Sequence, residues 1–260
     1  MTNLTNPQHH LTAELCLLAG KIIMKSGGET QRVEETMNRI AAACGYSDSQ
    51  SFVTPTGIFF SVGGANPVTR LAGISERSTD LHKVAQVNDV SRRIGAGELT
   101  PAEALAQLKA IETARVVYPD WLQIVSAAVA SGCFLIMFKG GWNDFVPAML
   151  AGGVGFALLL VLHRWVPVRF FAEFLSATTI GGLSILFVRA GFGHDLDLMI
   201  IGSVMPLVPG LLITNAVRDL MAGHLVSGLS KGAEALLTAS AIGAGIAVAL
   251  SVWSYGGGAL

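Results

Sequence analysis

The chain has 260 residues, 52% hydrophobic and only 13% charged, with a formal net charge of −1 and a mean hydropathy of +0.56. A soluble domain carries roughly 25% charged residues, so the composition argues against a wholly soluble protein and, being apolar, against a disordered one. The near-zero charge gives no general attraction to nucleic acid or to anionic lipid, and Cys16, Cys44 and Cys133 are too scattered for a disulfide framework or a zinc site and fit a reducing compartment.

The charge is unevenly placed. Residues 1–120 hold 11 Lys/Arg and 12 Asp/Glu, whereas 121–260 hold 6 of each, which predicts an N-terminal α+β domain over 1–120 and a membrane domain over 121–260. In the first domain, Leu11, Leu15, Leu18 and Ile22 recur at helical spacing over His10–Lys25. Ser26-Gly27-Gly28 ends that helix. A second helix runs from about Glu29 to Cys44, with Val33, Met37, Ile40, Ala41 and Cys44 on one face and Gly45 as C-cap. Three short β-type runs follow, Ser51–Thr54, Ile58–Val62 and Val68–Leu71, separated by the turns Pro55-Thr56-Gly57 and Gly63-Gly64-Ala65-Asn66. Asp80–Ile94 returns to helix, and Thr100-Pro101-Ala102-Glu103 starts another with an N-cap, a proline at its first position and a capping-box glutamate.

No phosphate loop, nucleophile elbow or H-E-x-x-H motif occurs, so the sequence offers no enzyme signature, no cofactor motif and no metal site. His9 and His10 read as solvated, Cys16 and Cys44 as core, and Arg32, Glu34, Glu35 and Arg39 as a solvated helix face. Ser26–Thr30 opens a helix and suits an anion there, although a plain helix–helix link is the simpler reading.

Five apolar runs follow: Trp121–Phe138, Phe145–Leu162, Phe170–Val188, Leu198–Val217 and Ala235–Trp253. Each approaches the length of about 20 residues that a bilayer core needs. The Lys/Arg bias sets the orientation. Arg164 and Arg169, then Arg218 and Lys231, mark one side; Lys139 and Arg189 mark the other. This predicts a multi-pass inner-membrane protein with a cytoplasmic N-terminal domain and a periplasmic C-terminus. Residues 1–20 lack the basic start and apolar stretch of a secretory signal, consistent with that orientation. Met221–Glu234 reads as a cytoplasmic connection. Gly152-Gly153-Val154-Gly155, Gly181-Gly182 and Gly243-Ala244-Gly245 suit close helix packing.

The fourth run carries Pro206, Pro209 and Gly210 at its middle. Pro206 has no N–H for the carbonyl of Gly202, and Pro209 none for that of Met205. An unpaired carbonyl in hydrocarbon costs several kcal/mol, so such a break persists where it lines protein or a watery cavity, as in many transporters; a kink that only shapes packing is the alternative. The half-helix beginning near Gly210 offers amides and the positive end of its dipole to an anion, with a substrate carboxylate as the natural ligand and Thr214 and Asn215 one turn on. Candidate substrate-binding residues are therefore Pro206, Pro209, Gly210, Thr214 and Asn215. Asp219 and Glu173 are candidates for ion coupling, each against a plainer reading: a salt bridge of Asp219 with Arg218, and Glu173 at the interface.

Several stretches together resemble the threonine/serine exporter (ThrE) family, and within it the short YjjP-like members. They are Gly28–Glu35 with its helix to Gly45, Gly97-Glu98-Leu99-Thr100-Pro101, Tyr118-Pro119-Asp120-Trp121, Gly140-Gly141-Trp142, Pro206-Leu207-Val208-Pro209-Gly210, Asn215-Ala216, Asp219, Gly223-His224 and Ser227-Gly228. The resemblance implies export of small carboxylate-bearing metabolites driven by an ion gradient, dicarboxylates such as succinate in the short members and threonine or serine in the longer ones. It also implies a small four-span YjjB-like membrane partner, because the chain stops after the fifth run where longer members continue. A homo-oligomer is left open. A membrane-anchored sensor or assembly module, and a membrane-tethered hydrolase acting through residues 1–120, are the competing readings.

Overall fold

The computed structural model describes residues 7–63, 67–75, 77–114, 118–166, 168 and 170–255. Arg169 and the Gly64-Ala65-Asn66 part of the expected turn lie outside them. The chain is mostly helical and divides into two compact units, one of Met1–Arg115 with Leu211–Ala233, the other of Val116–Gly210 with Glu234–Leu260.

The first unit begins with α1 (Pro7–Lys25) and α2 (Thr30–Ala43), followed by β1 (Ser49–Thr54), β2 (Gly57–Val62) and β3 (Val68–Gly73). The strands form one antiparallel sheet in the order β1-β2-β3. Alternation along β2 buries Ile58, Phe60 and Val62 and turns Phe59 outward, as the period of two requires. Helices α3 (Leu81–Gly95) and α4 (Pro101–Thr113) complete the core with Val84, Val87, Val90, Ala104 and Leu108. Asp80 caps α3 by accepting the Lys83 N–H at 3.1 Å. Thr100 and Glu103 form the capping box of α4, the Glu103 carboxylate accepting the Thr100 N–H at 2.9 Å. Cys16 is fully buried and its Sγ donates to the Met37 carbonyl at 3.4 Å; burial pushes its thiol up, and that of the half-buried Cys44 likewise.

The second unit contains α5 (Asp120–Met137), α6 (Trp142–Trp165), α7 (Phe171–Arg189) and α8 (Leu196–Val204). A short 3-10 turn, Met205–Leu207, follows α8. Helix α9 (Gly210–Met221) and helix α10 (Leu225–Tyr255) come next, each contributing to both units. Among the described residues, α5, α6, α7 and Leu225–Ser254 of α10 are long and apolar enough to cross a membrane, and the pair Leu196–Leu207 and Gly210–Met221 makes a fifth crossing if counted as one broken span. The surface of these helices fits lipid. Val146, Leu150 and Val154, one turn apart on α6, are 58%, 53% and 50% exposed, a contiguous apolar face that water would not tolerate. The chain is therefore a multi-pass membrane protein.

Small residues let these helices approach. A Cβ on Gly152 would lie 2.0 Å from Ser131 Oγ, and one on Gly245 would lie 2.3 Å from the Phe174 carbonyl oxygen; both positions demand the absence of a side chain. Gly182 and Gly243, by contrast, have open space where a Cβ would go. Asp144, 3% exposed, accepts the N–H groups of His194 at 2.6 Å and Asp195 at 3.3 Å, which satisfies its buried carboxylate.

The proline-rich segment behaves as two prolines in one run should. Pro206 sits inside the 3-10 turn, and Val208, preceding Pro209, is extended with φ −65° and ψ 130°, the conformation that a following proline imposes. Helix α9 restarts at Gly210, whose N–H donates to the Val208 carbonyl at 2.8 Å.

Candidate functional site

The turn between α1 and α2 is fixed by its glycines. Gly27 has φ +83°, where a side chain is strained, and a Cβ on Gly28 would lie 2.3 Å from Ile23 Cγ2 and 2.9 Å from the Ile23 carbonyl oxygen. The backbone of this turn is thereby open to contact from α9. Asn215, Arg218 and Asp219, spaced to share one helical face, all meet it. The Asn215 side-chain amide donates to the Gly27 carbonyl at 2.8 Å, and the Arg218 guanidinium forms an ion pair with the Glu29 carboxylate.

Asp219 is the most enclosed charged side chain among the described residues of this unit, 1% exposed. It accepts the Thr30 N–H at 3.0 Å, the Thr30 hydroxyl at 2.8 Å and the Lys231 ammonium at 2.8 Å. Lys231, on the first turns of α10, also donates to the Gly28 carbonyl at 3.3 Å. The partner of Asp219 is thus Lys231, not Arg218 as the sequence reading favoured; one helical step takes Arg218 to Glu29 instead. Met221–Glu234, expected as a connection, is mostly helix: only Ala222–His224 separate α9 from α10, with Gly223 at φ +87°. Ser227 and Lys231 are buried there, and the Ser227 hydroxyl donates to the Val53 carbonyl at 3.2 Å. His224 Nε2 lies 3.8 Å from the Glu34 carboxylate. Burial raises the Glu34 carboxyl above the usual carboxylate range, with His224 and a Val53 backbone hydrogen bond pulling it down and Asp219 adding to the rise.

Beside this contact lies a cavity of about 450 Å³ within the first unit. Thr214 and Asn215, named from the sequence, line it together with Glu29, Arg32, Arg92 and Arg218. Leu81, Val84, Ala85 and Leu211 supply apolar wall, and Asn88 a further polar group. Three guanidiniums against one carboxylate make the lining suited to an anion, and the guanidinium fork matches a carboxylate in two hydrogen bonds. Pro206, Pro209 and Gly210 do not belong to that lining; they form the break ahead of α9. Glu173 belongs to the second unit, where its Oε1 contacts His163 Nε2 at 3.2 Å.

Sequence reasoning passed over Arg92, Asn88 and Lys231. Arg92 and Asn88 lie on a helix whose charged face looks solvated in isolation. Lys231 sits in a stretch rich in glycine and serine, and nothing local marks it as the counter-ion of a residue twelve positions earlier.

A family model described as "putative threonine/serine exporter" matches residues 14–253. The chain is similar to the "probable succinate transporter subunit YjjP" of Escherichia coli strain K12, 26% identical over 254 residues, covering 96% of this chain and 98% of that protein. It is similar also to the "probable threonine/serine exporter" of Mycobacterium tuberculosis, 24% identical over 243 residues, covering 91% of this chain and 45% of that protein. A third relative, the "threonine/serine exporter" of Corynebacterium glutamicum, is 21% identical over 241 residues, covering 90% of this chain and 49% of its own. No solved structure matches. These relatives are named for transport and not for catalysis, and with the family pattern extending over nearly all of its length the chain belongs to the threonine/serine exporter (ThrE) family.

Proposed function

We propose that this chain is one subunit of a split secondary transporter that exports small carboxylate-bearing metabolites, either dicarboxylates such as succinate or threonine and serine, across the inner membrane. The name of the Escherichia coli relative, a succinate transporter subunit, supports the division of labour; the partner in this reading is a small four-span YjjB-like membrane protein. The N-terminal domain over 1–120 faces the cytoplasm and the C-terminus the periplasm, which the Lys/Arg bias supports.

The observation that carries the reading is the cavity in which Thr214 and Asn215, just beyond the proline break, stand with three arginines. Pro206, Pro209 and Gly210 interrupt the apolar run, as in the broken spans of transporters. Asp219 and Glu173 are the carboxylates assigned to ion coupling: both are largely enclosed and both contact a basic side chain, Lys231 and His163 respectively.

The test is efflux from cells. Deleting the gene, with its partner present or absent, raises intracellular succinate, threonine or serine after loading, and returning both genes restores export while either alone does not. Unchanged levels of all three solutes in the deletion strain overturn the reading.

A further inference from the structure

We propose that the cavity framed by Arg32, Arg92 and Arg218 is a dicarboxylate site, and that Glu29 occupies two of its arginines, Arg32 and Arg218, until a ligand carboxylate takes its place. The inference rests on the transporter reading and specifies its ligand and site. Glu29 is the one acidic residue among the described residues of the lining. Its carboxylate pairs with Arg218 and reaches Arg32 at 3.9 Å, so it already makes, within the molecule, the contact that an incoming carboxylate would make. It serves no capping role: it precedes α2 as the N-cap residue, yet its side chain accepts no cap hydrogen bond.

The lining as a whole selects the ligand class. With Glu29 displaced the ligand faces three arginines, which favours a dianion over a zwitterion. Arg92 has a partner of its own, Asp89 at 3.6 Å, but both side chains are more than half exposed, and such a pair competes weakly. Between the cationic groups the wall is apolar, Leu81, Val84 and Leu211, a surface for the methylenes of a short dicarboxylate. A second hollow of about 370 Å³ shares Glu29, Arg32, Asn88 and Arg92 and adds one arginine and one glutamate, Arg39 and Glu35, so it brings no further net charge.

Exchange of one carboxylate for another conserves the ion pairs, which makes Glu29 a competitor of the ligand and not a contributor to its binding. The sign of its effect is therefore opposite to that of the arginines. The experiment is calorimetric titration of succinate, butyrate and threonine into the purified full-length protein with its partner in detergent, with the unliganded melting temperature of each variant measured alongside. Succinate is expected to bind at least about tenfold more tightly than butyrate, the worth of one added charge-assisted contact. Arg92→Gln and Arg218→Gln bring succinate down towards butyrate. Glu29→Gln strengthens succinate binding severalfold. Because Glu29→Gln also removes a contact to α9, Glu29→Asp serves as the second variant: its shorter carboxylate competes less and gives an intermediate gain.

Weaker or unchanged succinate binding in both Glu29 variants overturns the competitor role, and so does tighter threonine than succinate binding that Glu29→Gln abolishes, since Glu29 would then hold an ammonium. Absence of saturable succinate heat in the wild type overturns the site itself. Each of these results is separate from the efflux assay: cells that export normally while the arginine variants bind succinate like wild type place the site elsewhere and leave the transporter reading standing.

Discussion

Asp219 and Lys231 carry opposite charges at 1% and 4% side-chain exposure. Removing two charges from water costs several kcal/mol each, and their attraction recovers this only with good geometry and further hydrogen bonds. Here Thr30 supplies two of those bonds and the Gly28 carbonyl a third. Breaking the pair from one side is therefore worse than removing it. Lys231→Met is expected to destabilise the protein by about 3–5 kcal/mol, and adding Asp219→Asn to recover most of that loss; denaturation of the single and double variants checks it. Glu34 gives a pH signature. Its raised carboxyl favours the protonated form in the fold, so its contribution to stability is present at low pH and is lost as pH rises through the raised value. The melting temperature of the wild type should fall relative to Glu34→Gln between the acid range and neutrality, and parallel profiles would contradict the burial of that carboxyl. Thr214, Asn215 and Asp219 stand out in the sequence because polar groups following an apolar, proline-broken run are conspicuous, and the first two line the cavity. Arg92 and Lys231 do not, because a long-range ion pair or a cavity wall leaves no periodic trace.

At the scale of elements, the restart of α9 depends on Pro209, which forces Val208 out of the helical region and so ends the preceding turn. Pro209→Ala returns an N–H and lifts the restriction on Val208. The expected outcome is a straighter segment in which α9 no longer presents Asn215, Arg218 and Asp219 to the Gly27–Thr30 turn, with export reduced and membrane insertion unchanged. Flux assays beside surface-labelling of the inserted protein distinguish this from a folding defect; normal export would count against a functional break. The apolar runs and the sheet were readable from hydrophobic periodicity, and the break from two prolines. Helix α10 begins at Leu225, ten residues ahead of the apolar run Ala235–Trp253, in a stretch whose glycine and serine lower helix propensity.

The whole molecule contains a unit that is discontinuous in sequence. Leu211–Ala233 belongs with Met1–Arg115, although the second unit's Val116–Gly210 separates them. No composition boundary reports this, because the division by charge near residue 120 describes where apolar runs begin, not which residues pack together. A fragment of residues 1–115 should therefore be incomplete: the Thr30 amide loses its Asp219 acceptor and the Gly27 carbonyl its Asn215 donor. Hydrogen exchange at the start of α2 is expected to be faster in the fragment than in the full chain, and equal protection would show that α9 is not needed there.

A ribosome making this protein has released α1 to α4 long before it reaches Leu211. The early helices and sheet must wait, with their last contacts unmade, while the apolar helices α5 to α8 emerge and are taken up by the insertion machinery. Completion of the first-born part thus waits on the synthesis of α9 and the start of α10, which bring Asp219 and Lys231 to the Gly28–Thr30 backbone.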